Sequence, residues 1–425
     1  MTILVGIVLL LSLMVVAVPI GFALGIAAIG SLAMILPTGP ILALMTKVVH
    51  QTGANYVIFT IPMFVLMAEF LSAGGVAEDL LLACNRLLRR IRGGMAMACI
   101  LAGTVHAAAT GSSAASAASL ARASFPAMMK AGYAPSFALG TIAIAGTLAI
   151  MIPPSVAFIL FGLITETSIG KLFIAGIIPG LLTAAGYVLT ISLTLWLKPE
   201  LGPNPQLELK LAAIDNKGAV WPMVTLVAVI LGGLYSGVAT PTEISAIGAL
   251  GALLISTATK RMTRESFLHA VGGTLRITTM IVVIIFSAHL LGYFVSFSRF
   301  TDTILRWVID SQLSPTLVMV VIVLIYLLLG AFMDQAAIII LTAPTTTALM
   351  VGLGYDPIWW GVVIIKTVEI GLVHPPLGIV SFVVSAATKT DLRSNFVGVI
   401  PYLIAELILL AVLMAFPQIS LWLVK

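Results

Sequence analysis

Charge is what this sequence has least of. Only 9% of its 425 residues are Asp, Glu, Lys or Arg, while 60% are hydrophobic; a soluble globular chain carries roughly 25% charged residues. A soluble fold of this length is thereby excluded. Cysteine is scarce too. Cys84 and Cys99 are the two present, too few for a disulfide framework and without the spacing of a metal centre. No HExxH, GxSxG or Walker motif occurs, and no paired catalytic carboxylates stand out. The chain therefore reads as no enzyme and no nucleotide-driven pump, and any work it does draws on an ion gradient or on the solute. Its net charge of +5 is scattered between apolar stretches instead of gathered into a stripe, which argues against a nucleic-acid partner.

What fills the space is long apolar runs. Ile3–Val18, Ile142–Ile164, Ile174–Leu197, Val224–Leu234, Ile277–Leu291 and Leu317–Leu329 are almost free of charge. A spanning helix needs about 20 mostly apolar residues, and helices satisfy their own backbone in hydrocarbon. The expectation is an all-α polytopic membrane protein. Its first apolar run lacks a basic leader and reads as a retained helix, not a signal peptide.

The second half repeats the landmarks of the first at an offset of 222 positions: Pro19 with Pro241, Tyr133 with Tyr355, Pro135 with Pro357, Gly176 with Gly398, Pro179 with Pro401, and Pro153-Pro154 with Pro375-Pro376. Prolines and glycines fix backbone shape, so this register predicts two copies of one backbone plan. Residues 1–197 form the first repeat, 198–219 a polar connector and 220–425 the second repeat. Copy one is expected to span at Ile3–Val18, Ala23–Thr46 and Val57–Ser72. A re-entrant hairpin near 95–129, a broken span near 137–164 and a last span at Ile174–Leu197 follow. Copy two matches with Val220–Tyr235, Ile244–Thr257, Ile277–Phe297, a hairpin near 316–350, a broken span near 359–386 and Val397–Leu423. Basic clusters at Arg86, Arg89, Arg90 and Arg92, at Lys260, Arg261 and Arg264, and at Lys389 and Arg393 belong in the cytoplasm. Placing all three there inverts the second copy relative to the first, with the hairpins entering from opposite sides. Two such copies with matched breaks are the mark of a secondary transporter.

Four segments carry the candidate site. Thr110-Gly111-Ser112-Ser113 is small and polar; its hydroxyls and carbonyls suit a hard cation such as sodium, and equally a close helix-packing seam. Thr147 precedes Pro153-Pro154, and Glu369, Gly371 and His374 precede Pro375-Pro376. Mid-span prolines break a helix, and such breaks belong where they line a protein-enclosed or wet cavity. The second hairpin carries Gly330, Asp334 and Gln335, with Asp334 in register with Ser112. An acid inside a membrane segment is a functional candidate by default. Lys366 and Glu369, three apart, either pair with each other or supply a ligand. His106 and His374 are read as proton relays or packing residues, and Glu69 and Glu243 as anchors or charge neutralisers.

The segments IPMFVLMAEFLSAGG, ATGSSAASAASLA, GTLAIMIPPS, GVATPTEISAIGAL, LGAFMDQAAIIILTAP and VEIGLVHPPLGIV together resemble the large, DctM-like membrane subunit of tripartite ATP-independent periplasmic (TRAP) transporters. The resemblance runs over essentially the whole chain. It implies a bacterial inner-membrane permease with an elevator mechanism, Na+ as coupling ion and no other cofactor. The cargo it implies is an organic anion of the C4-dicarboxylate or sialic-acid class. Implied partners are a four-helix DctQ-like membrane subunit, expected as a separate chain, and a soluble periplasmic DctP-like binding protein. Thr110–Ser113, Gly330–Gln335 and the two Pro-Pro breaks would then form the transport sites. A stand-alone organic-anion symporter or exchanger of similar fold, and a non-transporting scaffold, are the alternatives.

Overall fold

The computed structural model describes residues 2–16, 18–88, 90–204, 207 and 221–424. Arg89 and most of the connector beyond residue 204 lie outside the described residues. Among the described residues the ordered secondary structure is helical. The first half holds α1 (Thr2–Val15), α2 (Ile20–Leu32), α3 (Thr38–Ala54), α4 (Thr60–Ala73), α5 (Val76–Leu88), α6 (Gly94–Thr110), α7 (Ser113–Lys130), α8 (Pro135–Met151), α9 (Val156–Ile164) and α10 (Ile169–Leu197). The second holds α11 (Trp221–Tyr235), α12 (Pro241–Ala258), α13 (Arg264–Phe297), α14 (Phe300–Asp310), α15 (Pro315–Gly330), α16 (Gln335–Gly352), α17 (Pro357–Gly371), α18 (Ile379–Thr388), α19 (Leu392–Ala415) and the short α20 (Gln418–Leu421). Among the described residues seven helical segments, the broken α8–α9 unit among them, are long and apolar enough to cross a membrane.

The repeat register reappears in the helix boundaries. Shifted by 222, the Ser113–Lys130 helix falls on Gln335–Gly352. Both broken helices begin with proline at the first turn, where its missing N–H would have had no helical partner. Both stop before a Pro-Pro step in cis, Pro153-Pro154 and Pro375-Pro376.

Contacts with α19 fix the relative direction of the copies. The start of α8 meets the start of α19, where a Cβ on Gly140 would lie 2.2 Å from the Gly398 carbonyl carbon. The start of α17 meets the end of α19, where the Trp359 indole N–H donates to the Leu413 carbonyl at 2.9 Å. Repeat mates α8 and α17 therefore run in opposite directions. The repeats are inverted.

Two layers of packing result. Helices α4 with α12, α2 with α13 and α1 with α2 form one group, and α6, α7, α8, α9, α10, α15, α16, α17, α18 and α19 form the other. Side chains of α8 from Phe137 to Met151 and of α17 from Trp359 to Gly371 are all buried; α8 is apolar on every side, as a fully buried helix should be, whereas α17 also buries Lys366 and Glu369. Arg261 binds Asp79 in a two-pronged pair at 2.9 and 3.1 Å, bringing the Lys260–Arg264 cluster to the same end as the α4–α5 turn.

Some expected boundaries change. The single span expected at Ala23–Thr46 is two helices, because Pro37 precedes α3 and cannot continue α2. The span expected at Ile277–Phe297 begins at Arg264, its start fixed by a Thr263–Ser266 capping box. Helices α5 and α14, each linking the first group to a hairpin, fall where only connections were expected.

Candidate functional site

Both hairpins end in short, non-helical tips. The first turns at Gly111, whose φ of 56° is a left-handed value that glycine adopts without strain. Ser112 follows in extended conformation at the N-terminus of α7, its side chain making no capping bond. At the second tip Asp334 caps α16, its Oδ2 accepting the Ala336 N–H at 3.1 Å. Where the tips meet, the Ser113 hydroxyl donates to Gln335 Oε1 at 3.4 Å. Ser113 and Gln335 are 222 positions apart, so each hairpin touches its own repeat mate.

A cavity of about 240 Å³ lies against these tips. Thr110, Gly111, Ser112, Asp334 and Gln335 line one side. Glu69 and Ser72 of α4 and Ile277, Met280 and Ile281 of α13 line the other. His106 also lines it, almost wholly buried and with no protein partner for Nδ1. The donor set is oxygen-rich: three hydroxyls, an amide, two carboxylates and unwound backbone. That chemistry fits a hard monovalent cation and a small polar solute. Farther along the same α9–α13 seam a wider cavity of about 880 Å³ is lined by Gln51, Glu166 and His289.

Thr147 and Glu369 sit elsewhere, in a buried charged cluster between α8, α10, α17 and α19. The Thr147 hydroxyl lies 3.3 Å from Glu369 Oε1, again across 222 positions. Lys366 Nζ donates to Thr183 at 2.9 Å and to Glu369 Oε2 at 3.0 Å, and it ion-pairs with Glu406. Tyr187 donates to Glu406 as well. Lys366, Glu369 and Glu406 are at most 1% exposed. Of the two readings of Lys366 and Glu369, the structure realises the pair. It adds Glu406 and Tyr187, which the motif reading passes over; the signal was an acid within the apolar run of α19.

The other sequence candidates have separate places. Gly330 and Gly371 touch backbone to backbone, a Cβ on Gly330 falling 2.7 Å from Gly371 Cα, which seats the second hairpin on α17. Pro153 and Pro154 are buried. His374 is exposed with its ring against the Pro375 carbonyl. None of Pro153, Pro154, His374, Pro375 and Pro376 lines the tip cavity. Glu243 completes a capping box with Thr240 at the start of α12.

The family described as "Tripartite ATP-independent periplasmic transporter, DctM component" matches residues 7–419. A C4-dicarboxylate TRAP transporter large permease protein of Pseudomonas aeruginosa is 35% identical over 374 residues, covering 87% of each chain. An ectoine TRAP transporter large permease protein of Halomonas elongata is 30% identical over 370 residues, covering 86% of each. Among solved structures, the Alcanivorax borkumensis YdaH transporter superposes with a TM-score of 0.64 over 90% of each chain at 16% identity, a likeness of fold.

Proposed function

The chain belongs to the DctM family of TRAP transporter large permease subunits, multi-pass proteins of the bacterial inner membrane, and from that premise we propose that it imports a small organic carboxylate by sodium-coupled elevator movement. The observation that carries this reading is the meeting of two inverted hairpin tips at one oxygen-lined cavity. Sodium would be held by the carboxylate of Asp334 together with hydroxyls and carbonyls of the two tips, and the solute would sit beside it in the same cavity. The group containing both hairpins and both broken helices would move as one body against the group containing α4, α12 and α13. Helices α5 and α14 join the two groups and would bend at their ends to allow it. A small membrane subunit and a soluble binding protein would complete the assembly, the one bracing the static group and the other delivering solute.

Solute uptake into proteoliposomes holding this chain and its small subunit tests the proposal. The expected result is uptake that needs both an inward sodium gradient and the binding protein, and that Asp334→Asn abolishes while leaving membrane insertion intact. Uptake indifferent to sodium, or an Asp334→Asn variant that transports normally, would overturn it.

A further inference from the structure

We infer that the solute is a zwitterion, a carboxylate that also carries a cationic nitrogen, and that Glu69 receives the cation. This rests on the tip cavity being the transport site. The cavity is lined by two carboxylates, Glu69 and Asp334, and by no lysine or arginine among the described residues. A dianion entering such a space would bring one carboxylate against a like charge with no cationic side chain to offset it, an arrangement that selects against it.

The two repeat-related helix starts at the cavity are not equivalent. Asp334 occupies the N-terminus of α16 with its own carboxylate. The N-terminus of α7 has no such cap, because Ser112 makes no capping bond and Ser113 is turned to Gln335. Free N–H groups and the helix dipole make that end an anion seat. Beside it His106 lines the cavity with a buried Nδ1 that has no protein partner, and a small turn of the ring in its Nδ1–H form would give the same carboxylate a second contact. One anion seat is therefore open, and its mate is filled.

Opposite stands Glu69 on α4. Gly273 of α13 faces it closely, a Cβ there falling 3.3 Å from Glu69 Oε1, so the glycine leaves room for the carboxylate. His269 lies on the same helix but is exposed and does not line the cavity. A coupling sodium bound at Asp334 would offset that residue, leaving Glu69, which the exposed His269 approaches only from outside the cavity, as the carboxylate with no counter-charge inside it. The charge pattern that remains is one positive seat at α7 and one negative seat at Glu69, which matches a ligand with both charges and no net charge. The volume of about 240 Å³ is below the ~300–1,000 Å³ of drug-sized sites, so the zwitterion is small.

Ligand-dependent thermal stabilisation of the purified chain with its small subunit, in sodium buffer, tests this with free solutes. The probes are ectoine, glycine betaine and γ-aminobutyrate as zwitterions, and succinate, fumarate and malate as dianions. At least one zwitterion is expected to stabilise the protein, with the dianions without effect. Glu69→Gln should weaken the zwitterion's apparent affinity at least about tenfold, the loss of one charge-assisted contact. Glu69→Lys should reverse the preference toward succinate. Dianions stabilising the wild type as well as any zwitterion, or Glu69→Gln binding the zwitterion unchanged, would overturn the inference while sodium dependence of the response still stood. A response that ignores sodium would instead overturn the sodium-coupled reading beneath it.

Discussion

Replacing Lys366 by methionine removes the one cation of a buried cluster and leaves Glu369 and Glu406 facing each other inside the helix bundle. The nitrogen-to-oxygen distance to Glu369 is 3.0 Å. At an effective dielectric of ~20 such a pair attracts by about 5 kcal/mol, and the ion pair to Glu406 adds to it. Desolvation offsets part of that attraction in the intact protein, but it remains unopposed once the lysine is gone. Breaking a buried pair typically costs about 3–5 kcal/mol, and that is the loss expected for Lys366→Met, read as the shift in reversible unfolding by denaturant in mixed micelles. The triple variant Lys366→Met, Glu369→Gln, Glu406→Gln removes the charges along with their partner and should recover most of the loss. A single variant within about 1 kcal/mol of wild type, or a triple variant no more stable than the single, would refute the reasoning.

Two further substitutions and one control probe the packing that fixes the inverted arrangement, by the same unfolding measurement. Gly398→Ala places a Cβ 1.8 Å from the Ser136 carbonyl oxygen, so α8 and α19 must part, at a cost of about 1–3 kcal/mol or more; Gly232→Ala, with nothing within 4 Å, should be neutral or slightly stabilising. Trp359→Phe deletes the donor to Leu413 and leaves that buried carbonyl unpaired, an expected loss of about 1–3 kcal/mol.

Much of the architecture was legible because its signals are local. Prolines and glycines set backbone shape wherever they occur, so a shared register of them placed both hairpins and both breaks to within a few residues. The amphipathic α5 and α14 were not legible, since a surface helix with several charges does not rise above the background of apolar runs. The long α13 was cut short for a related reason: Arg264, Glu265, His269 and Arg276 interrupt its apolar pattern. At the site, hydroxyl-rich tips and an in-span acid picked out Thr110–Ser112 and Asp334, which line the cavity. What no motif could supply was the company each residue keeps. Glu69 lines the tip cavity from a helix far from both hairpins in sequence, and Glu406 meets a lysine 40 positions away in a neighbouring helix.

The contacts between repeat mates bear on how such a chain came to exist. Thr147 and Glu369 hold the same place in the two copies and lie against each other. Had the two halves been identical, as in a pair of separate half-length subunits inserted in opposite orientations, this place would hold either two threonines or two glutamates. Covalent union of the halves removes that constraint, because each side of the axis can then mutate alone. The buried Lys366–Glu369–Glu406 cluster is an asymmetry of this kind. Its counterparts in the first copy, Ile144, Thr147 and Ala184, carry no charge.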